Sequence, residues 1–353
     1  MKSQPTAPAA FDPNAAAAPE SGIFGLPDDP RGARVHVVGV PFDATTSFRK
    51  GAARGPAAIL AASRQVDLFD VLTGKPYEAG IWMAPLDPAV EGWNEEATRA
   101  AEPVIAAGGV GHDPALKRAA ARVDAIQDEL NRWVEARARE ILDAGKLCAL
   151  VGGDHSVPYG AIRAHAERFP GLGVLHFDAH ADLRPAYEGF AHSHASILRN
   201  TADGIDGIAR IVQVGLRDLS EEEFAFIEAS KGRLCALYDV DWARAKHEGQ
   251  PLTSVVRRTI EPLPEEVYVT FDVDGLDPAL CPNTGTPVPG GFTWNEAMLW
   301  LDELVRSGRR IVGVDLNEVS PAADSEDGAG WDENVGARLL YRLIGFLLRS
   351  QTR

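Results

Sequence analysis

Three ionisable side chains occupy alternate positions between residues 178 and 182. Asp178, His180 and Asp182 follow the apolar run Gly173–Phe177 and are separated from one another by single alanines. In an extended chain, residues two apart lie on the same face. Burying three such groups beside an apolar strand is costly unless a divalent cation compensates their charge. Mixed Asp and His ligands suit manganese, iron, nickel or zinc, so the pattern predicts a metal site.

Two further clusters supply ligands of the same types. Asp272 and Asp274 share a face after a second apolar run, and His155 follows the glycines of Gly152–Ser156, where the backbone can turn sharply. The three clusters give six candidate ligands, four of them carboxylates. Their charge exceeds that of one divalent ion, so we expect two ions, about 3.5–4 Å apart, that share an activated water. The pattern predicts a dinuclear hydrolase, with a phosphatase-like two-metal site as the alternative.

Apolar runs alternate with helical stretches along the chain. The predicted strands are Val35–Pro41, Leu147–Val151, Gly173–Phe177, Ile211–Val214, Leu234–Tyr238, Val267–Phe271 and Ile311–Val314. The predicted helices are Ala115–Ala144, Pro158–Arg168, Ser220–Glu228, Asn295–Ser307 and Glu333–Leu348. Continuous apolar strands alternating with helices indicate an α/β fold with a mainly parallel sheet. All three polar clusters follow strands, at the edge where parallel sheets bind ligands.

The chain is expected to form one domain after a flexible arm. Residues 1–33 are rich in Ala, Pro, Asp and Gly and show no periodicity, which predicts a flexible N-terminal arm. The remaining residues, 34–353, contain no repeat and no convincing linker. We therefore assign them to a single domain.

Composition restricts the partners and the compartment. The 353 residues include 35 basic and 51 acidic side chains, a net charge of -16, which repels nucleic acid and anionic lipid. We therefore expect no nucleic-acid or membrane partner, and no apolar run is long enough to span a bilayer. The sequence shows no secretory signal, and its three cysteines are too few for a disulfide framework. A cytoplasmic location is expected.

The three clusters together resemble the ureohydrolase family, which includes arginase, agmatinase and guanidinobutyrase. The resemblance covers nearly the whole chain after the arm and includes three further motifs, Ser193–Ser196, Gly285–Gly291 and Asn317–Pro321. It implies a three-layer α/β/α fold of the arginase type. It also implies hydrolysis of the C–N bond of a guanidino compound, with release of urea and an amine or ammonia.

The resemblance implies a metal ligand at each matching position. The implied ligands are His155 and Asp182 for one divalent ion, His180 and Asp274 for the other, and Asp178 and Asp272 between the two. Manganese is the usual metal of the family. Nickel is the second expectation, because it binds such ligands more tightly than manganese does.

Three residues are implied to act on the substrate. Glu318 would pair with the guanidinium, because a carboxylate and a planar N–H fork form parallel charge-assisted hydrogen bonds. His194, assigned in preference to His192 for its Ser-His-Ala-Ser setting, would transfer a proton near the scissile group. Asp274 would pass a proton from the attacking water to the leaving nitrogen.

The identity of the substrate depends on Arg184, which stands where arginases commonly have asparagine. Pointing inward, Arg184 would repel the ammonium end of agmatine; paired with an acidic neighbour such as Glu188, it would not face the substrate. The chain also reads Ser-His-Ala-Ser-Ile-Leu from Ser193, where agmatinases usually have Ser-His-Gly-Thr-Pro-Phe. This difference favours guanidine, an alkylguanidine or a guanidino acid such as 4-guanidinobutyrate, with agmatine as the alternative.

Two other functions remain open at this stage. A related fold with an Asp/His metal site removes acyl groups from amines, and a chain of this kind could also be an inactive partner subunit. Glu318 and the paired aspartates Asp272 and Asp274 favour a guanidinium substrate over a neutral amide. The family resemblance also implies a homo-oligomer, a trimer or hexamer.

Overall fold

A single parallel sheet organises the molecule. The computed structural model describes residues 11–323 and 328–352. The strands are β1 Val35–Val40, β2 Ile81–Met83, β3 Leu147–Gly152, β4 Leu172–Phe177, β5 Ile208–Leu216, β6 Leu234–Tyr238, β7 Glu266–Asp272 and β8 Arg310–Asn317. They form one sheet of order β2-β1-β3-β8-β7-β4-β5-β6, and every neighbouring pair is parallel. The predicted α/β fold is confirmed. The short strand β2 was not predicted.

Helices connect successive strands and cover both faces of the sheet. They are α1 Gly55–Ser63, α2 Pro88–Ala106, α3 Pro114–Asp143, α4 Tyr159–Arg168, α5 Ile197–Gly204, α6 Glu221–Ala229, α7 Asp239–His247, α8 Leu252–Ile260, α9 Trp294–Arg306 and α10 Trp331–Arg349. Local sequence explains several of their starts. The Asp113 side chain accepts from the Ala115 amide just before α3, and Thr293 forms a capping box with Glu296 at α9.

Alternate residues of the strands face two separate cores. In β4, for example, Leu175 and Phe177 belong to one core, whereas Leu172 and Val174 belong to the other. Helices α1 and α7–α10 pack on the first side and α2–α6 on the second. The result is the three-layer α/β/α arrangement that the sequence predicts, with strands buried on both faces.

The segment before β1 corrects the prediction of a flexible arm over residues 1–33. Ile23, Phe24 and Leu26 are all buried in the first core. The Phe24 amide donates to Ser63 Oγ at 2.8 Å, which ties the segment to α1. Because its buried apolar residues are few and do not recur at a regular spacing, this segment has no periodicity for a sequence pattern to detect. Residues 1–10 of the predicted arm lie outside the described residues.

The register of the sheet aligns the strand ends that precede the polar clusters. Phe177 pairs with Phe271, Asp272 pairs with Asn317, and Val151 pairs with Leu316. The chain therefore leaves β3, β4, β7 and β8 at one level of the sheet edge, so their following loops meet. No helix among the described ranges is long and apolar enough to cross a membrane.

Candidate metal centre and active site

The His155 imidazole lies against three carboxylates from two different loops. Its Nδ1 atom is 3.0 Å from Asp178 Oδ2 and 3.4 Å from both Asp182 Oδ2 and Asp272 Oδ2. All four side chains are buried. The structure thus brings together His155, which follows β3, two aspartates that follow β4, and Asp272 at the end of β7.

A second imidazole completes the cluster on the other side of Asp178. His180 Nδ1 lies 3.0 Å from Asp274 Oδ2 and 3.4 Å from Asp178 Oδ1. The two oxygens of Asp178 therefore face different imidazoles. Ligand atoms of Asp178, His180 and Asp274 all lie within 4.8 Å of one another, as do those of a group around His155. All six residues that the sequence nominated converge at this one place.

The charges of this cluster need compensation. Burial raises the pKa values of the Asp182 and Asp272 carboxyls well above the usual value for aspartate, and the neighbouring carboxylates raise both further. Burial opposes protonation of His155, but hydrogen bonds to Asp178 and Asp272 raise the pKa of its imidazole well above the usual value. Buried carboxylates and imidazoles in this arrangement are the environment that divalent cations stabilise.

The hydrogen bonds behind His155 show that the residues fit a metal. Thr270 Oγ1 donates to Asp315 Oδ1 at 2.8 Å, so it accepts from His155 Nε2 at 2.8 Å. When the imidazole is neutral, its one N–H proton is on Nε2. Nδ1 then has a free lone pair, which faces the carboxylate cluster. A metal-binding histidine characteristically donates its other N–H in this way. Sequence reasoning missed Thr270 and Asp315, because their contact depends on the pairing of β7 with β8.

His176 is a further residue to which the sequence analysis gave no role. Its Nε2 atom lies 2.8 Å from Asp178 Oδ2, and its Nδ1 lies 2.9 Å from Gln213 Nε2. Because the Gln213 amide donates, His176 donates in turn to Asp178 and orients it. His176 and His155 together hold the pKa of Asp178 well below its usual value, although burial acts in the opposite direction. The position two residues before Asp178, on the same strand face, is a signal that could have identified it.

Glu318 and His194 each present an unpartnered polar atom to the centre. Glu318 Oε1 accepts from the His155 amide at 2.9 Å, whereas Glu318 Oε2 and His194 Nε2 are buried without a hydrogen-bond partner in the described chain. His194 Nδ1 lies 3.9 Å from Glu318 Oε1. Burial, with a contribution from His180, lowers the pKa of His194 to about 3, so its ring is neutral. Such orphaned groups are expected where a polar ligand binds. His192 lies apart, 3.0 Å from Asp128.

A cavity of about 310 Å³ opens onto the centre. Its lining includes His180, Asp182, Asp272, His194 and Arg184. Arg184 thus faces the cavity, and its Nε atom also lies 3.7 Å from Glu223 Oε2. Both alternatives of the sequence analysis therefore hold in part, but the acidic partner is Glu223 rather than the suggested Glu188.

Comparison with known proteins shows to which family the chain belongs. Residues 33–345 match the sequence profile of the arginase family. The chain belongs to the arginase family. An N(1)-aminopropylagmatine ureohydrolase of Thermus thermophilus is 35% identical over 326 residues, which are 92% of this chain and 94% of that protein. An agmatinase of Bacillus anthracis is 32% identical over 293 residues, 83% of this chain and 86% of that protein.

Solved structures agree with this assignment. The proclavaminate amidino hydrolase of Streptomyces clavuligerus superposes with a TM-score of 0.68 at 26% identity, covering 95% of this chain and 99% of that one. An agmatine ureohydrolase of Thermoplasma volcanium has the same fold, with a TM-score of 0.67 at 24% identity and coverage of 90% and 91%. As a member of the arginase family the chain is a hydrolase of amidino C–N bonds that acts on guanidino compounds. The family depends on a binuclear metal centre, which the two groups of ligand atoms fit.

Proposed function

We propose that the six converging residues hold two divalent cations at which a linear guanidino compound is hydrolysed to urea and an amine or ammonia. His155 and Asp182 would hold one cation and His180 and Asp274 the other, with Asp178 and Asp272 as further ligands. The observation that supports this assignment most directly is that His155 Nδ1 lies 3.0–3.4 Å from three carboxylates, while Nε2 is held by Thr270, so Nδ1 is the ring nitrogen that a metal could bind. Bound cations supply an activated water and stabilise negative charge as it develops.

The residues of the chain orient the substrate and move its protons. Glu318 Oε2 accepts from the guanidinium N–H groups, since it is buried and lacks a partner among the described residues. With the cations bound, the Asp274 carboxylate would take a proton from the attacking water and return it to the leaving nitrogen. His194, neutral in its buried position, shuttles a proton at Nε2 as the product amine departs.

The metal and the assembly are also proposals. Asp and His ligands suit manganese, which we propose as the resident metal, and nickel is the alternative because it binds such a site more tightly. A homo-trimer or homo-hexamer is proposed from the family resemblance, and a cytoplasmic location from the small number of cysteines. Size-exclusion chromatography with light scattering measures the assembly directly.

Glu318→Gln tests the proposed function. Urea release is measured with guanidine, methylguanidine, 4-guanidinobutyrate, agmatine and arginine, first with manganese and then with nickel. Replacing the carboxylate by an amide removes a charge-assisted hydrogen bond, so kcat/KM should fall roughly 100-fold. Bound metal, measured by mass spectrometry, should stay at two ions per chain, whereas Asp274→Asn should lower both the metal content and the activity.

Glu221→Gln is the matched control, since it removes one carboxylate from an exposed position of α6. It should change neither metal content nor turnover. Absence of urea release from every guanidine with both metals would contradict the proposal. Release of acetate from N-acetylputrescine in place of urea would also contradict it and would support the deacetylase alternative. A Glu318→Gln variant as active as the wild type would contradict the role of Glu318.

A further inference from the structure

The imidazole of His194 is not fixed by hydrogen bonds of its own. Its Nε2 atom is buried without a partner among the described residues, and Nδ1 lies 3.9 Å from Glu318 Oε1, too far for a hydrogen bond. The ring of Tyr187 lies edge to face with it, at 6.3 Å between ring centres. The direction in which Nε2 points therefore depends on the backbone of residue 194 and on the contacts that hold this backbone.

Thr45, which is distant in the sequence, holds that backbone. Thr45 lies in the loop after β1, and its side chain is buried. Its Oγ1 atom accepts from the His194 amide at 3.1 Å and donates to Asp154 Oδ2 at 3.0 Å. The amide can only donate, which leaves the single proton of the hydroxyl for the carboxylate. The His194 amide begins the turn His194–Ser196, where a backbone donor has no partner within the turn itself.

Asp154 is itself held by its other oxygen. Asp154 Oδ1 accepts from both the amide and the hydroxyl of Ser156. Ser156 Oγ in turn accepts from Gln127 Nε2 of helix α3 at 3.0 Å. All three of these side chains are buried. A continuous chain of hydrogen bonds therefore connects α3 to the backbone of His194 and passes beside the metal ligand His155.

We propose that Thr45 is a positioning residue that directs His194 Nε2 into the active site. This inference rests on the proposed function, in which His194 shuttles a proton as the product amine departs. Among the described residues, Ser47 and Phe48 of the same loop line the cavity, whereas Thr45 does not. Thr45 therefore acts on the reaction through His194 rather than by contact with the substrate. Loss of its hydroxyl should slow proton transfer and lower kcat, with KM little changed.

Thr45→Val tests the proposal, because valine keeps the shape of the side chain but cannot accept from the His194 amide. With the most active guanidine of the panel above, kcat for urea release should fall about tenfold, while bound metal matches the wild type. Thr45→Ala removes the same hydroxyl from a smaller side chain and should give the same result. Thr45→Ser keeps the hydroxyl and should retain the wild-type kcat. Thr201→Val is the matched control, since the buried Thr201 hydroxyl has no partner within the described chain, and it should change neither kcat nor KM.

A double-mutant cycle shows whether Thr45 acts through His194. In a His194→Asn background, Thr45→Val should have no further effect on kcat, because residue 194 then has no proton to shuttle. Equal losses of kcat in the two backgrounds would overturn the inference, since the hydroxyl would then support the fold in general.

Other outcomes separate this inference from the function on which it rests. With an active wild type, an unchanged kcat in Thr45→Val, or a Thr45→Ser variant as slow as Thr45→Val, would overturn the role of the hydroxyl and leave guanidine hydrolysis intact. Loss of bound metal in Thr45→Val would also overturn it, since the effect would then arise at His155. So would a rise in KM alone, which would place the effect at Ser47 and Phe48. A wild type that releases no urea would contradict the proposed function itself.

Discussion

At the scale of single residues, Glu318 combines an unusual backbone with an unsatisfied side chain. Its φ of 63° lies in the left-handed region, which costs a non-glycine residue about 1–2 kcal/mol. Two hydrogen bonds hold it there: its amide donates to the Gly153 carbonyl at 2.8 Å, and Oε1 accepts from the His155 amide. These two hydrogen bonds also orient the carboxylate, so that Oε2 is left to accept from a ligand.

Gly285→Ala should weaken substrate binding by filling the space beside that oxygen. A Cβ atom at this position would lie 3.3 Å from Glu318 Oε2 and 3.3 Å from the Arg49 carbonyl oxygen. Because a methyl group would compete with the guanidinium for this space, we expect KM to rise roughly tenfold for every guanidine substrate. Urea-release kinetics measure the change. Gly92→Ala is the control, since a Cβ at Gly92 has no neighbour within 4 Å among the described atoms; equal KM values in the two variants would refute the argument.

At the scale of elements, a short apolar segment before β1 packs into the first core together with the long periodic helices. The Phe24 ring lies 4.8 Å from the ring of Tyr341 in α10, with the two rings edge to face. Tyr341 in turn donates from its hydroxyl to the Leu68 carbonyl. The segment that contains Ile23 and Phe24 therefore joins the first core at the point where α1 and α10 meet, and it belongs to the domain rather than to an arm.

Phe24→Ala should destabilise the protein by about 3 kcal/mol, because it opens a cavity in a fully packed core. Urea denaturation followed by circular dichroism measures the free energy of unfolding. Phe11→Ala removes the same ring from a side chain that is 42% exposed and should cost less than about 1 kcal/mol. Similar losses for both variants would show that residues 23–26 do not belong to the core.

The sequence predicted the strands around the centre because each is a continuous apolar run, and it nominated six candidate ligands because they follow those runs. The sequence did not predict contacts between strands that are far apart along the chain. His176 orients Asp178 only because β4 lies beside β5, which brings Gln213 to its other nitrogen. Likewise, Glu223 becomes the partner of Arg184 through the placement of α6. These contacts depend on strand order, which no local pattern encodes.

At the scale of the whole molecule, the second core contains a histidine that is buried away from the metal centre. His165 lies in α4, and its ring packs 4.9 Å from that of Tyr268 in β7, edge to face. Nδ1 donates to the Ala161 carbonyl at 2.7 Å, and Nε2 has no partner among the described residues. Burial lowers the pKa of His165 from 6.5 to about 4. The folded protein therefore holds this imidazole neutral at pH values where the unfolded chain protonates it.

The stability of the protein should consequently fall as the pH drops from about 6.5 to about 4. In this window the unfolded state binds a proton at His165 that the folded state rejects, which should lower the free energy of unfolding by about 2 kcal/mol between about pH 7 and pH 5. His165→Gln should reduce this pH dependence by that amount, as measured by urea denaturation at both pH values. His247→Gln, which changes an exposed histidine, should keep the wild-type pH dependence. An unaltered slope in His165→Gln would contradict the assignment.

The position of β8 in the sheet determines the order in which the parts of the candidate metal centre assemble during synthesis. Within the described ranges β8 is the last strand to leave the ribosome, yet it lies between β3 and β7. Without β8 the strand order leaves two separate half-sheets: His155 follows a strand of one, and the other five candidate ligands belong to the other. The group formed by His180 and Asp274 can therefore assemble during synthesis. The group that includes His155 forms only after β8 inserts between β3 and β7 and joins the two half-sheets. Glu318, at the end of that strand, arrives with the same step, so a truncated chain has no complete centre.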